Sequence, residues 1–181
     1  MPTRTTLSSQ PVLSSCKLLL LAAALWMSAA HADDYADVNR LTGAKEFTQA
    51  LAKADAYLTA KPRDPQMLFL KGVVQTQAGK ADEAIATFTQ LSGDYPELPE
   101  PYNNLAVLYA GQGQLDKART ALEMAIRLKP GYATAHENLG DVYARLASQS
   151  YSRALQQDAG NPALRPKLAL MRQLLEPAKA P

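Results

Sequence analysis

The sequence repeats a pattern every 34 residues, and this period restricts the fold more than any other feature. Segments 77–96 and 111–130 both start with a glycine-containing turn, continue through an alanine-rich apolar stripe and end at a proline. Similar residues recur at this interval in the pairs Gly79 and Gly113, Ala84 and Ala118, and Pro96 and Pro130. A period of about 20–50 residues is typical of solenoids, because a single repeat cannot bury its apolar face alone.

Each repeat is predicted to form two helices. Segment 99–110 places apolar residues at the spacing of one helical face, and a glycine-rich turn follows it. A second apolar stripe runs from Ala118 to Ile126 and stops at Pro130, a residue type that ends helices. Small residues are expected where the paired helices approach closely, namely at Gly72, Ala84, Ala106, Ala118 and Gly140.

This pattern resembles the tetratricopeptide repeat (TPR), whose motif is W-x2-L-G-x2-Y, then A-x3-F, then P. One repeat reads Tyr102-x2-Leu105-Ala106-x2-Tyr109, then Ala118-x3-Leu122, then Pro130. The repeat before it reads Leu68-x2-Lys71-Gly72, then Ala84-x3-Phe88, then Pro96. The resemblance implies an all-α fold, a right-handed solenoid of about four helix-pair repeats with a C-terminal capping helix.

The repeats are expected at 33–64, 65–98, 99–132 and 133–160, followed by the capping helix at 162–176 and a disordered tail at 177–181. The first repeat has a short opening helix, about 34–41, and a longer second helix, about 46–60. The fourth repeat is atypical because it has no turn glycine. An uninterrupted helical stripe predicts one continuous helix from about 134 to 158, through Leu139, Val142, Leu146, Ser150 and Ala154.

Residues 1–32 are predicted to be a secretory signal peptide. Arg4 and Lys17 precede the apolar run Leu18–Ala30, and Ala30-His31-Ala32 supplies a small-residue cleavage site. The run is shorter than the ~20 residues that a spanning helix needs, although an uncleaved anchor remains an alternative. We therefore expect export to the periplasm, with membrane attachment only through an uncleaved segment. The chain is similar to small exported bacterial TPR proteins linked to envelope assembly or TonB-type transport.

Composition restricts the chemistry of the remaining chain. After residues 1–32 are removed, 17 basic and 17 acidic residues remain, so no basic excess favours nucleic acid. No cysteine remains, and His136 is the single histidine, which leaves no enzyme signature, metal site or cofactor site. His136 occupies the position where the family has a large aromatic residue, so we expect it to pack between helices.

The resemblance also implies a binding surface. In the family, the first helices of the repeats line a concave groove, and ligands contact the second, fifth, ninth and twelfth or thirteenth residues. Carried over to this sequence, these and adjacent positions are Phe69, Val73, Gln77, Asn103, Asn104, Val107, Ala110, Glu137, Asn138, Asp141 and Arg145. For Asn104 and Asn138, a purely structural role remains an equal alternative.

The predicted groove is apolar at Phe69, Val73 and Val107 and acidic at Glu137 and Asp141. This favours a protein or peptide partner that has an apolar stretch and a basic end. Alternatively, Phe69 and Val73 pack under the first helix and the two acids are only solvated. The expected function is a non-catalytic adaptor that is monomeric when free. A permanent structural subunit of an envelope assembly or TonB-type transport complex is the alternative.

Overall fold

The computed structural model describes residues 34–175, which form eight helices and no strand. In chain order these are α1 (34–43), α2 (Phe47–Ala60), α3 (Pro65–Gln77), α4 (Ala81–Asp94), α5 (Pro99–Gly111), α6 (Leu115–Leu128), α7 (Ala133–Gln157) and α8 (Leu164–Leu175). The predicted signal peptide at 1–32 and the predicted tail at 177–181 lie outside the described residues. Within residues 34–175, none of the helices has the length and apolar content that crossing a membrane requires.

The helices stack in chain order. Turns of three or four residues join α2 through α7, and each helix packs on its neighbours in the sequence. Helix α5 also contacts α7, so the first helices of two successive repeats lie side by side. The all-α solenoid of helix pairs that the period predicts is thereby confirmed.

The turn between the two helices of a repeat uses a left-handed residue at one fixed place. Gly79 and Gly113 have φ of 73°, and Lys45, which is 34 residues before Gly79, has φ of 60°. After Gly79, the Lys80 N–H donates to the Gln75 carbonyl at 2.9 Å and closes the end of α3. Glycine suits this conformation because it has no Cβ to clash with the backbone.

The interior consists of two apolar clusters. The larger one joins α3 through α7, and Phe88, Leu91 and Leu122 are among its fully buried side chains. The smaller one joins α1, α2 and α3 around Val38 and Met67. Burying side chains of this size is worth about 1.5–3 kcal/mol each, which is the main stabilising contribution to a solenoid without disulfides.

The close approach predicted at the small residues is confirmed in the central repeats. A Cβ added to Gly72 would lie 2.6 Å from Cζ of Phe88, so only glycine fits there. Ala84, Ala106 and Ala118 are buried as predicted. The prediction is wrong at Gly140, where an added Cβ would meet no atom within 4 Å.

The last repeat departs from the others because its helix does not turn back. Helix α7 is continuous, as predicted, and α8 then packs against its C-terminal half. Leu168 is buried, and three apolar residues at helical spacing around it are half-buried: Leu164, Met171 and Leu175. Consequently, none of the described helices covers Gly140 on α7.

The same geometry explains why the prediction for His136 is wrong. Its side chain is exposed, and its Nε2 lies 2.8 Å from the Pro130 carbonyl oxygen. At the equivalent position of the third repeat, Tyr102 is half-buried, and its longer side chain donates a hydrogen bond to the Pro96 carbonyl oxygen. In the fourth repeat the second helix continues straight on from the first, and the histidine stays in solvent.

Polar contacts attach α1 to the rest of the stack. The hydroxyl of Tyr35 donates to Asp64 Oδ2 at 2.8 Å, and the hydroxyl of Tyr57 donates to the same oxygen at 3.2 Å. Asp64 also caps α3 by accepting the Met67 N–H at 2.8 Å. Lys53 on α2 pairs with Asp37 on α1. One carboxylate thus joins the first three helices.

Candidate functional site

An open pocket of about 290 Å³ lies between α5 and α7. Five of the side chains that the sequence assigns to the concave groove line it together: Val107, Ala110, Asn138, Asp141 and Arg145. Its remaining walls come from residues that the sequence assigned to packing or turns: Ala106, Gly111, Leu122 and Val142.

Helical spacing brings these residues to the pocket. Val107 and Ala110 are three residues apart on α5, and Asn138, Asp141 and Arg145 follow at intervals of three and four on α7. Residues at these intervals lie on one face of a helix. Because α5 and α7 are side by side, the two faces meet along one groove.

Two amides connect the helices at the base of the groove. Asn138 Nδ2 donates to Asn103 Oδ1 at 2.9 Å, and Asn103 is buried. This contact gives Asn138 a structural role in joining α7 to α5, while its side chain still lines the pocket. Asn104 instead donates to the carbonyl oxygen of Glu100 in its own helix at 2.9 Å.

The accessible part of the groove combines an apolar wall with charge. Val107 is 48% exposed and forms the apolar wall. Asp141 and Glu137 are exposed on α7, as predicted for the acidic end. Arg145 donates from Nη1 to the Ala110 carbonyl oxygen at 3.3 Å, so its guanidinium is partly engaged at the end of α5.

The predicted residues on α3 do not join this pocket. Phe69 is half-buried, and its ring packs on Phe88 with 5.8 Å between the centroids. It lines a separate apolar pocket of about 300 Å³ together with Pro65, Gln66, Leu91, Leu98, Glu100 and Pro101.

Val73 is half-buried against the larger core cluster, and Gln77 is exposed at the end of α3. The structure therefore brings together the site residues of the third and fourth repeats and separates those of the second. The packing partner of Phe69 is α4, since its ring lies on Phe88, rather than the first helix.

Among residues 34–175, no group of three or more His, Cys, Asp or Glu side chains is arranged to hold a metal ion. The groove is an open concave surface that combines apolar, amide and charged side chains. These are means of binding another chain.

The fold and groove define an α-solenoid of helix-pair repeats with a binding surface on its first helices. Two family models match the chain: a tetratricopeptide-repeat model over residues 29–99 and a TPR-repeat model over residues 108–147. Together they cover more than half of the sequence, and the chain belongs to the tetratricopeptide-repeat family.

Curated relatives share this region. A chloroplastic tetratricopeptide repeat domain-containing protein of Arabidopsis thaliana, PYG7, is 34% identical over 134 residues, which is 68% of this chain and 42% of that protein. The probable biofilm formation methyltransferase WspC of Pseudomonas putida is 32% identical over 92 residues, 51% of this chain and 22% of that protein. The chain thus spans less than half the length of these relatives.

Solved structures confirm the fold. A thermophilic TPR protein of Thermus thermophilus is 25% identical, with a TM-score of 0.58 over 79% of this chain and 81% of that chain. The first TPR of Spaghetti (RPAP3), bound to the HSP90 peptide SRMEEVD, has a TM-score of 0.60 at 15% identity, over 63% of this chain and 90% of that chain. TPR domains are in general non-catalytic modules for protein–protein interaction.

Proposed function

We propose that this chain is a non-catalytic adaptor in the bacterial periplasm that binds a peptide segment of an envelope protein. The binding site is the groove between α5 and α7. The observation that supports it most is the convergence of Val107, Asn138, Asp141 and Arg145 on one open pocket. The pocket joins apolar surface to an amide and to both signs of charge, a combination that can bind and orient a peptide.

The chemistry of the groove suggests the type of peptide. An apolar side chain of the ligand would contact Val107 and Ala110, and a basic side chain would reach Asp141 or Glu137. The amide of Asn138 could hydrogen-bond the peptide backbone while keeping its bond to Asn103. A carboxylate-ended ligand fits poorly, because the acids at this end would repel it.

The periplasmic part of the proposal depends on residues 1–32. Their order of basic, apolar and small residues is typical of a secretory signal, and the acidic residues that follow favour export of the remainder.

The experiment is a co-purification from envelope extracts with the full chain as bait. A variant with Val107→Glu and Asp141→Lys changes the wall and the charge of the groove without touching buried residues. The matched control, Leu128→Glu with Asp116→Lys, makes the same chemical changes on α6. Circular dichroism confirms equal helicity before capture is compared.

We expect the parent and the control to retain a protein that the groove variant loses. Equal capture by both variants would contradict the groove assignment. That result would favour the alternative of a permanent subunit attached through another surface. In that case the next candidate surface is α8, where Leu170 and Leu174 are 59% and 65% exposed.

A further inference from the structure

Helix α7 has one face that the described helices leave largely uncovered. Its residues recur at intervals of three and four along the whole helix: His136, Gly140, Tyr143, Ala147, Tyr151 and Ala154. We call this the open face. His136 and Gly140 are exposed, and Tyr143 is 48% exposed. Ala147, Tyr151 and Ala154 are half-buried, and Nζ of Lys167 on α8 lies 5.8 Å from the centre of the Tyr151 ring. The charged residues within α7 all lie off this face: Glu137, Asp141, Arg145 and Arg153.

The two halves of the open face correspond to the two helices of an ordinary repeat. His136, Gly140 and Tyr143 stand 34 residues after Tyr102, Ala106 and Tyr109. In the C-terminal half, Ala147-x3-Tyr151-x2-Ala154 repeats the pattern Ala118-x3-Leu122-x2-Ala125 of α6, but five residues early. Helix α7 is therefore a first helix and a second helix fused end to end.

The missing turn explains the fusion. Lys45, Gly79 and Gly113 hold the left-handed turn position of the first three repeats. The next residue at this interval is Ala147, which is helical within α7. An alanine disfavours the left-handed conformation, so the chain continues as a helix instead of folding back.

Helix α7 retains the glycine and the aromatic residue that pack on each other in an ordinary repeat, but within one chain they cannot meet. In α3 and α4, the ring of Phe88 fills the space above Gly72. The equivalent pair in the fourth repeat is Gly140 and Tyr151. These two residues are eleven positions apart in the same helix, so they are separated by about 16 Å along its axis. Within one chain the tyrosine cannot reach the glycine.

We propose that two copies of this chain pair through their open faces, with the two α7 helices antiparallel. Tyr151 of each copy then packs on Gly140 of the other, as Phe88 packs on Gly72 within one chain. A twofold axis crosses the interface at the level of residues 145–146, midway along α7 between Gly140 and Tyr151. This arrangement is a form of domain swapping: the second half of each α7 packs on the first half of the partner's α7 instead of folding back on its own. Short or missing connections favour such swaps.

The dimer leaves the candidate groove accessible. Asn138, Asp141 and Arg145 lie on the side of α7 opposite the open face, given the 3.6-residue turn of the helix. Helix α8 keeps its packing around Ser152 and Leu155, and only the flexible side chain of Lys167 has to move off the ring of Tyr151. The proposal departs from the monomer expected from the sequence, and it makes His136 and Gly140 interface residues instead of interior ones.

Cysteine cross-linking tests both the pairing and its register in the full chain with Cys16→Ser. Gly140→Cys and Tyr151→Cys are made as separate proteins, mixed and oxidised. The proposal predicts a disulfide between the two proteins in the mixture and none in either protein alone. In either protein alone, the two cysteines of a dimer would occupy the same position in each copy. They would be about 16 Å apart, beyond the roughly 7 Å between Cα atoms that a disulfide can bridge.

Sedimentation velocity supplies an independent measurement. Gly140→Gln should weaken dimerisation at least about tenfold by filling the space for Tyr151. It leaves the fold intact, since glutamine is the better helix former and an added Cβ meets no atom within 4 Å. Arg153→Gln, on another face of α7, should dimerise like the parent. A monomeric parent, or no cross-link in the mixture, would overturn the proposal.

Discussion

Lys45 shows how strongly single positions control this fold. It occupies the turn position where the next two repeats have Gly79 and Gly113, and it adopts the same left-handed backbone with φ of 60°. A side chain with a Cβ is strained there by about 1–2 kcal/mol. The surrounding turn imposes the conformation, because the Glu46 N–H still donates to the Leu41 carbonyl oxygen at 2.9 Å.

Replacing this lysine with glycine should therefore stabilise the protein. Lys45→Gly relieves the backbone strain, and the greater freedom of glycine in the unfolded chain offsets part of the gain. We expect the free energy of unfolding to rise by about 1 kcal/mol, measured by urea titration of helicity. Lys45→Ala is the matched control, since it removes the same charge but keeps the Cβ. Equal stabilisation by alanine would show that charge, not φ, determines the effect.

At the residue scale, motif positions are buried as expected only where a second helix lies over them. Gly72 was correctly assigned to a close helix approach, because Phe88 on α4 lies directly over it. Gly140 and His136 match the same motif but are exposed. A single sequence specifies the residue type at a motif position, whereas the contact depends on whether the second helix returns.

At the scale of the element, α1 depends on one carboxylate. Burial alone raises the pKa of Asp64, but the Met67 N–H and the hydroxyls of Tyr35 and Tyr57 outweigh it and hold the pKa below its ordinary value. Burial, together with hydrogen bonds to Tyr57 and Asp64, raises the pKa of Tyr35. The charged form of Asp64 is therefore the form that joins α1, α2 and α3.

This arrangement gives a pH dependence with a definite sign. A carboxyl whose pKa is lowered in the folded state contributes stability above its unfolded pKa of about 4, and this stability is lost as the pH falls through the lowered pKa. Asp64→Asn should be less stable than the parent near neutral pH, and the difference should shrink below a pH of about 4. Unfolding titrations across this range measure it.

Tyr35→Phe serves as the internal comparison, since it removes one hydrogen bond to Asp64 and should cost about 1 kcal/mol at neutral pH. The acid-dependent loss in this variant should be intermediate between those of the parent and Asp64→Asn. Parallel stability curves for the parent and Asp64→Asn would contradict the role assigned to this carboxylate.

The elements themselves were largely predictable. The uninterrupted stripe in segment 134–158 correctly indicated one continuous helix, because helical periodicity is a local property of the chain. The attachment of α1 was not predictable, since Tyr35 and Asp64 are 29 residues apart and meet only after α1, α2 and α3 have packed. Nothing in local spacing indicates such a contact.

At the scale of the whole molecule, the repeats form one stack with two distinct surfaces on α7. One surface is the groove shared with α5, and the other is the open face on the opposite side. A peptide and a second copy could therefore bind at once. Two copies would present two grooves, which raises the effective affinity for a ligand that has two matching segments.

The site was predictable in part. Val107, Asn138, Asp141 and Arg145 were predicted from family positions, and they meet because α5 and α7 are adjacent first helices. Phe69 has the same type of position in the second repeat but packs on Phe88 instead. A large apolar side chain at such a position can turn either to the groove or to the joint between repeats, and this choice depends on the packing of neighbouring helices.

The most direct test of the account is a selection of displayed random peptides on the full chain. Selection is repeated on the Val107→Glu, Asp141→Lys variant and on the Leu128→Glu, Asp116→Lys control. We predict that the parent and the control enrich peptides with an apolar residue near lysine or arginine, and that the groove variant does not. Enrichment of the same peptides by all three proteins, or of acidic peptides by the parent, would contradict the assignment of the groove between α5 and α7.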